Sequence, residues 1–289
     1  MTADRTESFE TPGPAKLRVN IPWGRLTVTA SGTSATRIEL SAANGDPSVR
    51  DWIAQAEIAQ FGDEIVVRGP NLRWSLFSLL GSGRGIDAVV ATPAGSDATL
   101  SIGAGRIETT GRLATVRANT GAGNLHIAEC ADVHANTGAG NIDIGVVTAS
   151  AETKTGAGNV KIGKVGANAE ITTAAGNARI EEITGAARMK TAHGNIEIGA
   201  AGDSLDAFTS SGNVRVSRAD HGYVRARTVS GGVSVGVASG VAALLDLRTV
   251  SGRVRSELEA SGAPAEGEQR IELVLSTVSG NVSVARAAA

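Results

Sequence analysis

The chain has 289 residues, with 27 Lys and Arg against 29 Asp and Glu, and a formal net charge of −2. No global field therefore draws it to nucleic acid, and we expect no nucleic-acid partner. Aromatic residues make up only 3% while 37 residues are Gly, so any core must be built from Ala, Val, Ile and Leu. The single cysteine, Cys130, excludes an internal disulfide framework.

The N-terminal segment is polar and charged. We predict that residues 1–14 are flexible, because they carry Asp4, Arg5, Glu7 and Glu10 and no apolar run. Nothing in this segment resembles a signal peptide, and no run of 18 apolar residues occurs along the sequence. We therefore expect a cytoplasmic protein.

Residues 15–96 predict an irregular, β-rich cap. Leu17, Val19 and Ile21 alternate with polar residues, as expected of a strand with one buried face. Asp46-Pro47 predicts the start of a short helix that runs through Trp52, with Pro in its first turn. The segments 58–61 and 64–67, separated by Gly-Asp, predict a hairpin.

An apolar segment interrupts the strand pattern of this cap. Its large residues are Trp74, Leu76, Phe77, Leu79 and Leu80. One interpretation is that the segment folds back over the cap. The other is an exposed interface for a protein partner, for self-association or for peripheral contact with a membrane surface.

From Gly105 to Gly212 a glycine recurs every 17 or 18 residues, and the spacing then loosens through Gly231, Gly252 and Gly280. Most copies continue Gly-Asn-apolar-x-apolar, as in 123–127. A fixed period near 20 residues is typical of a solenoid. We predict an all-β fold, a single-chain parallel β-solenoid with about 18 residues per coil, over residues 97–285.

Positions aligned on the repeat glycine indicate two short strands per coil. Thr stands three residues before the glycine, and apolar residues alternate with polar ones on both sides of it. Cys130 falls in a column of small or apolar residues, which indicates a core residue rather than a nucleophile. We expect the Thr and Asn columns to form ladders in which each side chain bonds to its copy in the next coil.

Two features depart from the repeat near the C-terminus. Residues 256–267 form a polar insertion, which we predict to be a protruding loop. Residues 286–289 are predicted to be a frayed tail.

Activities known on solenoids leave no motif in this sequence. Calcium-binding repeats need Asp at one fixed position, where this chain has His126, Asp143, Lys161, Arg179 and Glu197. The six-residue apolar period of hexapeptide acyltransferases fails, and the four histidines fall on different coils and faces. We therefore predict no catalytic residue, no metal site and no cofactor.

The repeated Thr-x-x-Gly-Asn-apolar-x-apolar units resemble the bacterial putative-adhesin β-strand-repeat family. Segments 91–96 and 100–105 resemble its actinobacterial branch. The resemblance extends over roughly residues 15–285 and implies a β-solenoid with an irregular N-terminal cap. It carries over no catalytic residues.

The predicted function is that of a non-enzymatic scaffold or interaction protein, which binds a protein partner or itself through its β faces or the apolar segment. One alternative is a bactofilin-like polymer built by stacking coil ends. The other is a carbohydrate-active enzyme on a β-helix.

Overall fold

The computed structural model describes residues 3–69, 85–258 and 270–288, which form almost only β-strands. It divides into two compact units, Met1–Ile144 and Gly145–Ala289. In each unit, equivalent strands of successive repeats pair in parallel. The parallel β-solenoid predicted from the repeat is therefore confirmed.

Unit 1 begins with antiparallel strands that cover one edge of its parallel strands. Its elements are β1 (Arg5–Glu10), β2 (Lys16–Ser31), β3 (Ala35–Ala42), α1 (Pro47–Gln55), β4 (Glu57–Phe61), β5 (Glu64–Arg68), β6 (Ile86–Pro93) and β7 (Asp97–Ala139). β2 lies between parallel neighbours, with β7 on one side and both β5 and β6 on the other. Beyond them, β4 pairs antiparallel with β5, β3 with β6, and β1 with β3.

Local predictions for the cap can be compared with these elements. The hairpin is confirmed as β4 and β5, in which Phe61 lies opposite Glu64. The short helix is confirmed as α1, where Asp46 accepts the backbone N–H of Ser48 at 2.8 Å. Within the stretch predicted to be flexible, β1 is instead a paired strand.

Unit 2 consists of two stacks of short strands. Its elements are β8 (Ile142–Val147, which spans the division between the units), β9 (Ala151–Ala157), β10 (Val160–Val165), β11 (Ala169–Ala175), β12 (Ala178–Ile183), β13 (Ala187–His193), β14 (Ile196–Ala201), β15 (Leu205–Ser211), β16 (Val214–Ala219), β17 (Gly222–Ser230), β18 (Val233–Val237), β19 (Ala242–Ser251), β20 (Val254–Ser256), β21 (Arg270–Ser279) and β22 (Val282–Arg286). Odd-numbered strands pair in one stack and even-numbered strands in the other. The alternation is as predicted, since Val160, Ile162 and Val165 are all buried.

The order of coils in space departs from the order in sequence at the end of unit 2. β21 pairs with β17 on one side and with β19 on the other. In the same way β22 lies between β18 and β20. The last coil of the sequence is thus inserted between the two coils that precede it.

The C-terminal end of β22 is held by hydrogen bonds to the segment between β18 and β19. Arg286, the first residue of the predicted tail, is the last residue of β22. Its guanidinium donates to the carbonyl oxygens of Ala238 at 3.0 Å and Val241 at 2.9 Å. The predicted protruding loop lies mostly outside the described residues.

The corners hold neighbouring coils together by two kinds of hydrogen bond. The Asn195 backbone N–H donates to the side-chain oxygen of Asn177 in the preceding coil at 2.9 Å. The Thr191 hydroxyl donates to the Gly176 carbonyl oxygen, also in the preceding coil, at 3.2 Å. The equivalent threonine bond, at 2.9 to 3.3 Å, is made by Thr137, Thr173, Thr209, Thr228, Thr249 and Thr277.

The predicted threonine ladder is therefore wrong, whereas the asparagine column does link successive coils. These threonines lie beneath the corner, all buried except the half-buried Thr249, and the acceptor each reaches is the carbonyl of the repeat glycine rather than another hydroxyl. The asparagine side chain bonds to the backbone of its copy. In two pairs the side-chain amides also bond, because Asn177 Nδ2 donates to Asn159 Oδ1 and Asn213 Nδ2 donates to Asn195 Oδ1, each at 3.3 Å.

We expect the substitution of Thr by Val to have opposite effects on the free energy of unfolding at two buried threonines of unit 2. Thr191→Val removes the bond to Gly176 and should lower the free energy of unfolding by about 1 kcal/mol. Thr153 is buried opposite Ile171, and its hydroxyl has no hydrogen-bond partner. Thr153→Val should therefore raise the free energy of unfolding by about 1 kcal/mol, because it removes an unsatisfied polar group.

Urea denaturation of the two variants beside the wild type measures both effects. Each variant controls for the volume and β-propensity change in the other. Destabilisation by both substitutions would contradict the account of Thr153. An unchanged midpoint for Thr191→Val would contradict the importance of the threonine–glycine bond.

Candidate functional site

The predicted interface lies outside the described residues. It consists of Trp74, Leu76, Phe77, Leu79 and Leu80, and the structure describes nothing between residues 69 and 85. The role of this segment stays a prediction. Other surfaces that could bind a partner lie on the described strands.

Unit 1 carries a shallow polar groove of about 440 Å³ on its outer surface. We refer to it as the polar groove, and it is lined by Asn20, Ser101, Ile102, Gly103, Asn119, Thr120, Gly121, Asn136, Thr137 and Gly138. None of these residues is charged. The groove therefore offers amide, hydroxyl and backbone groups, which suit a neutral polar ligand better than an ion.

Side chains in register form one wall of the polar groove. Asn20 on β2 lies opposite Ser101 on β7. Further along β7, Asn136 Nδ2 donates to Asn119 Oδ1 at 3.2 Å. Because an amide carries two donors and an oxygen with two acceptor sites, this bond leaves both asparagines with capacity for a ligand.

The groove is open because glycine occupies the position two residues before the repeat glycine. A Cβ built on Gly121 would lie 2.7 Å from the carbonyl oxygen of Gly103. In unit 2 the same position holds glycine once more, at Gly156, and then larger residues, such as Ala174, Ala192 and Val229. The sequence thus contained a signal for the groove, namely the change in side-chain size along this one column.

The charged outer face carries ladders of opposite charge. In unit 1, His126 lies 3.3 Å from Asp143. In unit 2 the ladder pairs are Lys161 with Glu181 at 3.2 Å, Lys164 with Glu182 at 2.7 Å and Arg179 with Glu197 at 3.1 Å. These side chains are exposed, so each pair contributes little to stability and mainly favours the observed register.

The described residues contain no group of three His, Cys, Asp or Glu side chains placed to hold a metal ion. Within the same ranges, no helix is long and apolar enough to cross a membrane.

Cys130 lies in the core of unit 1, as predicted, with a relative exposure of 0%. Burial raises the pKa of its thiol to about 12, and the nearby Asp132 and Glu129 carboxylates add to the shift. Because the thiolate is the nucleophile, such a thiol is poorly suited to catalysis.

This environment predicts very slow reaction of Cys130 with a disulfide reagent such as DTNB at pH 8. In the folded protein the thiol is protonated and inaccessible, so less than about a tenth should react in the time that the unfolded chain reacts fully. Absorbance of the released thiolate, followed with and without urea, makes the comparison. Fast reaction in the absence of urea would show that this part of the core opens readily.

An exposed apolar surface at the end of unit 2 was not predicted from the sequence. In three coils that are neighbours in space, valine directly follows the repeat threonine. These residues are Val229, Val278 and Val250, and they are 47%, 48% and 83% exposed. Leu244 on β19 is 70% exposed. The replacement of Thr-small-small-Gly by Thr-Val-Ser-Gly in these coils was the available signal.

Stacked parallel coils, with hydrogen-bonded corners and outward polar columns, place the chain in the class of parallel β-solenoid proteins. Residues 99–285 match the family model described as Toastrack DUF4097, which covers more than half of the chain. The chain therefore belongs to the Toastrack DUF4097 family. The predicted resemblance to a putative-adhesin repeat family is confirmed, while the actinobacterial branch stays a prediction.

Several solved structures are similar in fold. A putative adhesin from Bacteroides fragilis is 13% identical with a TM-score of 0.39, over 97% of this chain and 96% of that one. A putative adhesin from Parabacteroides merdae is 12% identical with a TM-score of 0.32, over 97% and 95%. A putative lipid binding protein from Parabacteroides distasonis is 9% identical with a TM-score of 0.35, over 81% and 95%.

No curated protein matches the chain. At the low identities and TM-scores of the solved structures, the likeness adds no evidence about function.

Proposed function

We infer that this chain is a non-enzymatic, adhesin-like interaction protein that binds an extended, uncharged segment of a partner protein on its outer β surface. The observation that carries this proposal is the polar groove, where Asn20, Ser101, Asn119 and Asn136 line one wall. The cytoplasmic localisation expected from the sequence stays a prediction.

The chemistry of the groove supports a polypeptide partner. Its amide and hydroxyl groups can pair with the peptide N–H and C=O groups of an extended strand, and they carry no charge that a charged ligand would need. The parallel strands beneath it repeat about every 4.8 Å, so the hydrogen-bonding side chains are regularly spaced. A rigid surface of this kind binds without the entropy cost of ordering a loop.

The test is a peptide array followed by titration of the peptide that binds best. Asn119→Ala/Asn136→Ala should raise its dissociation constant about tenfold, because two hydrogen-bonding groups are lost. Both side chains are exposed, so the melting temperature should change little.

A matched control uses the same column of unit 2. Thr172 and Lys190 stand four residues before their repeat glycines, as Asn119 and Asn136 do. Thr172→Ala/Lys190→Ala should leave the dissociation constant unchanged. Equal loss in both double variants, or no effect of either, would contradict binding in the polar groove.

The apolar segment is a second surface for the same proposed function. Replacing Trp74 and Phe77 with Ser removes its two aromatic residues, which are the kind that dominate interface energies. If the segment contributes to an interface, this variant should lose capture of the partner protein in a pull-down while its circular dichroism spectrum stays the same. Full capture by the double variant would remove the segment from the proposal.

The alternatives predict other results. Filaments in electron micrographs of the concentrated protein would favour the bactofilin-like polymer. Turnover of a polysaccharide would favour the carbohydrate-active enzyme. Either finding would overturn the proposed function.

A further inference from the structure

β19 is an open edge of the sheet in unit 2. It pairs with β21 on one side, and no strand in the described part of the chain pairs with its other side. Over its ten residues the outer edge therefore presents backbone N–H and C=O groups to another strand. Natural proteins usually protect such an edge, because it is a template for pairing with a further chain.

The core is also open at this end. Leu245 and Val254 face the same way as Leu273 and Val282, their partners on the neighbouring strands. Both partners are fully buried, whereas Leu245 is half-buried and Val254 is 47% exposed. The last layer of the core thus lacks an apolar layer above it in the described structure.

The sequence of β19 is complementary to itself. If two copies of this strand pair antiparallel about Leu247, Asp246 of each lies opposite Arg248 of the other. In the same register Leu244 lies opposite Val250, which joins the two most exposed apolar side chains on the strand. Opposite charges and paired apolar residues in direct register both stabilise an antiparallel pair.

The inward and outward faces of β19 are also consistent with this register. Leu245, Leu247 and Thr249 lie opposite residues of β21 that are buried, so odd-numbered side chains face the core. The two-fold axis pairs odd positions with odd and even with even. Core faces therefore meet core faces, and outward residues meet outward residues.

We propose that a second copy of this chain is the occupant of this edge, in a two-fold dimer formed by antiparallel pairing of β19 with β19. Such an interface is isologous, so forming it consumes the open edge of both copies and closes the assembly at two chains. In unit 1, β1 carries Arg5, Glu7 and Glu10 among its six residues, which discourages a second edge contact.

Charge reversal gives a sharp test, with mass measured by light scattering over a range of protein concentrations. The wild type should reach twice the 29.1 kDa of the chain. Asp246→Arg places Arg opposite Arg across the axis, and Arg248→Asp places Asp opposite Asp. Each single reversal should raise the dimer dissociation constant by about tenfold or more.

Combining the two charge reversals in one chain should restore the dimer. The double variant Asp246→Arg/Arg248→Asp again places opposite charges across the axis. An equimolar mixture of the two single variants should form a heterodimer that neither forms alone. These outcomes do not depend on whether a single variant is slightly less stable.

Within one chain Arg248 also pairs with Asp246 at 2.7 Å, so each reversal breaks this ion pair as well. The control for that loss is Arg218→Asp, which disrupts the exposed ion pair of Arg218 with Asp220, also two residues apart, at 2.6 Å. Arg218 lies on β16, away from the edge, so this variant should dimerise like the wild type. A wild type that is monomeric at every concentration, or an assembly that the single reversals leave intact, would overturn the proposal. Neither result bears on peptide binding in the polar groove.

Discussion

At most corners of the coil, the carbonyl oxygen of the repeat glycine accepts a hydrogen bond from the hydroxyl of a threonine in the neighbouring coil. The approach is so close that a Cβ on Gly194 would lie 2.1 Å from the Gly176 carbonyl oxygen, and its φ of +149° suits only glycine. Glycine thus permits the contact and threonine completes it. Because this contact recurs, the coils that share it stack in the same register, and small aliphatic residues can fill the core at each level.

Much of this architecture could be predicted from one repeat. Period-two alternation identified the strands, and the column that contains Cys130 identified a core position. The threonine bonds could not be predicted in the same way. A column of identical side chains indicates that they are neighbours, but the depth of each hydroxyl below the corner decides which acceptor it reaches. The polar groove depends on a similar detail, the absence of a Cβ at Gly103, Gly121 and Gly138.

The order of coils could not be predicted at all. Each coil presents nearly the same hydrogen-bonding edge, so a repeat indicates that strands stack without stating which neighbour each one takes. In unit 1, β2 lies between strands from later in the sequence, and in unit 2 the last coil is inserted between earlier ones. As a result, β2 in unit 1 and β21 in unit 2 each have a hydrogen-bonded strand on both sides. The exposed edge of β19 is a result of this order, because β19 is outermost although it is not last.

The inserted last coil also constrains the order in which the protein can fold on the ribosome. Residues 242–256 leave the ribosome before residues 270–286, yet their hydrogen-bonding partners are on β21 and β22. Chains fold from the N-terminus as they are made, so the earlier strands of unit 2 can stack one after another. β19 and β20 must wait until residues 270–286 have emerged. The strand of unit 2 with the most exposed apolar side chains therefore pairs only after strands that follow it in the sequence have been made.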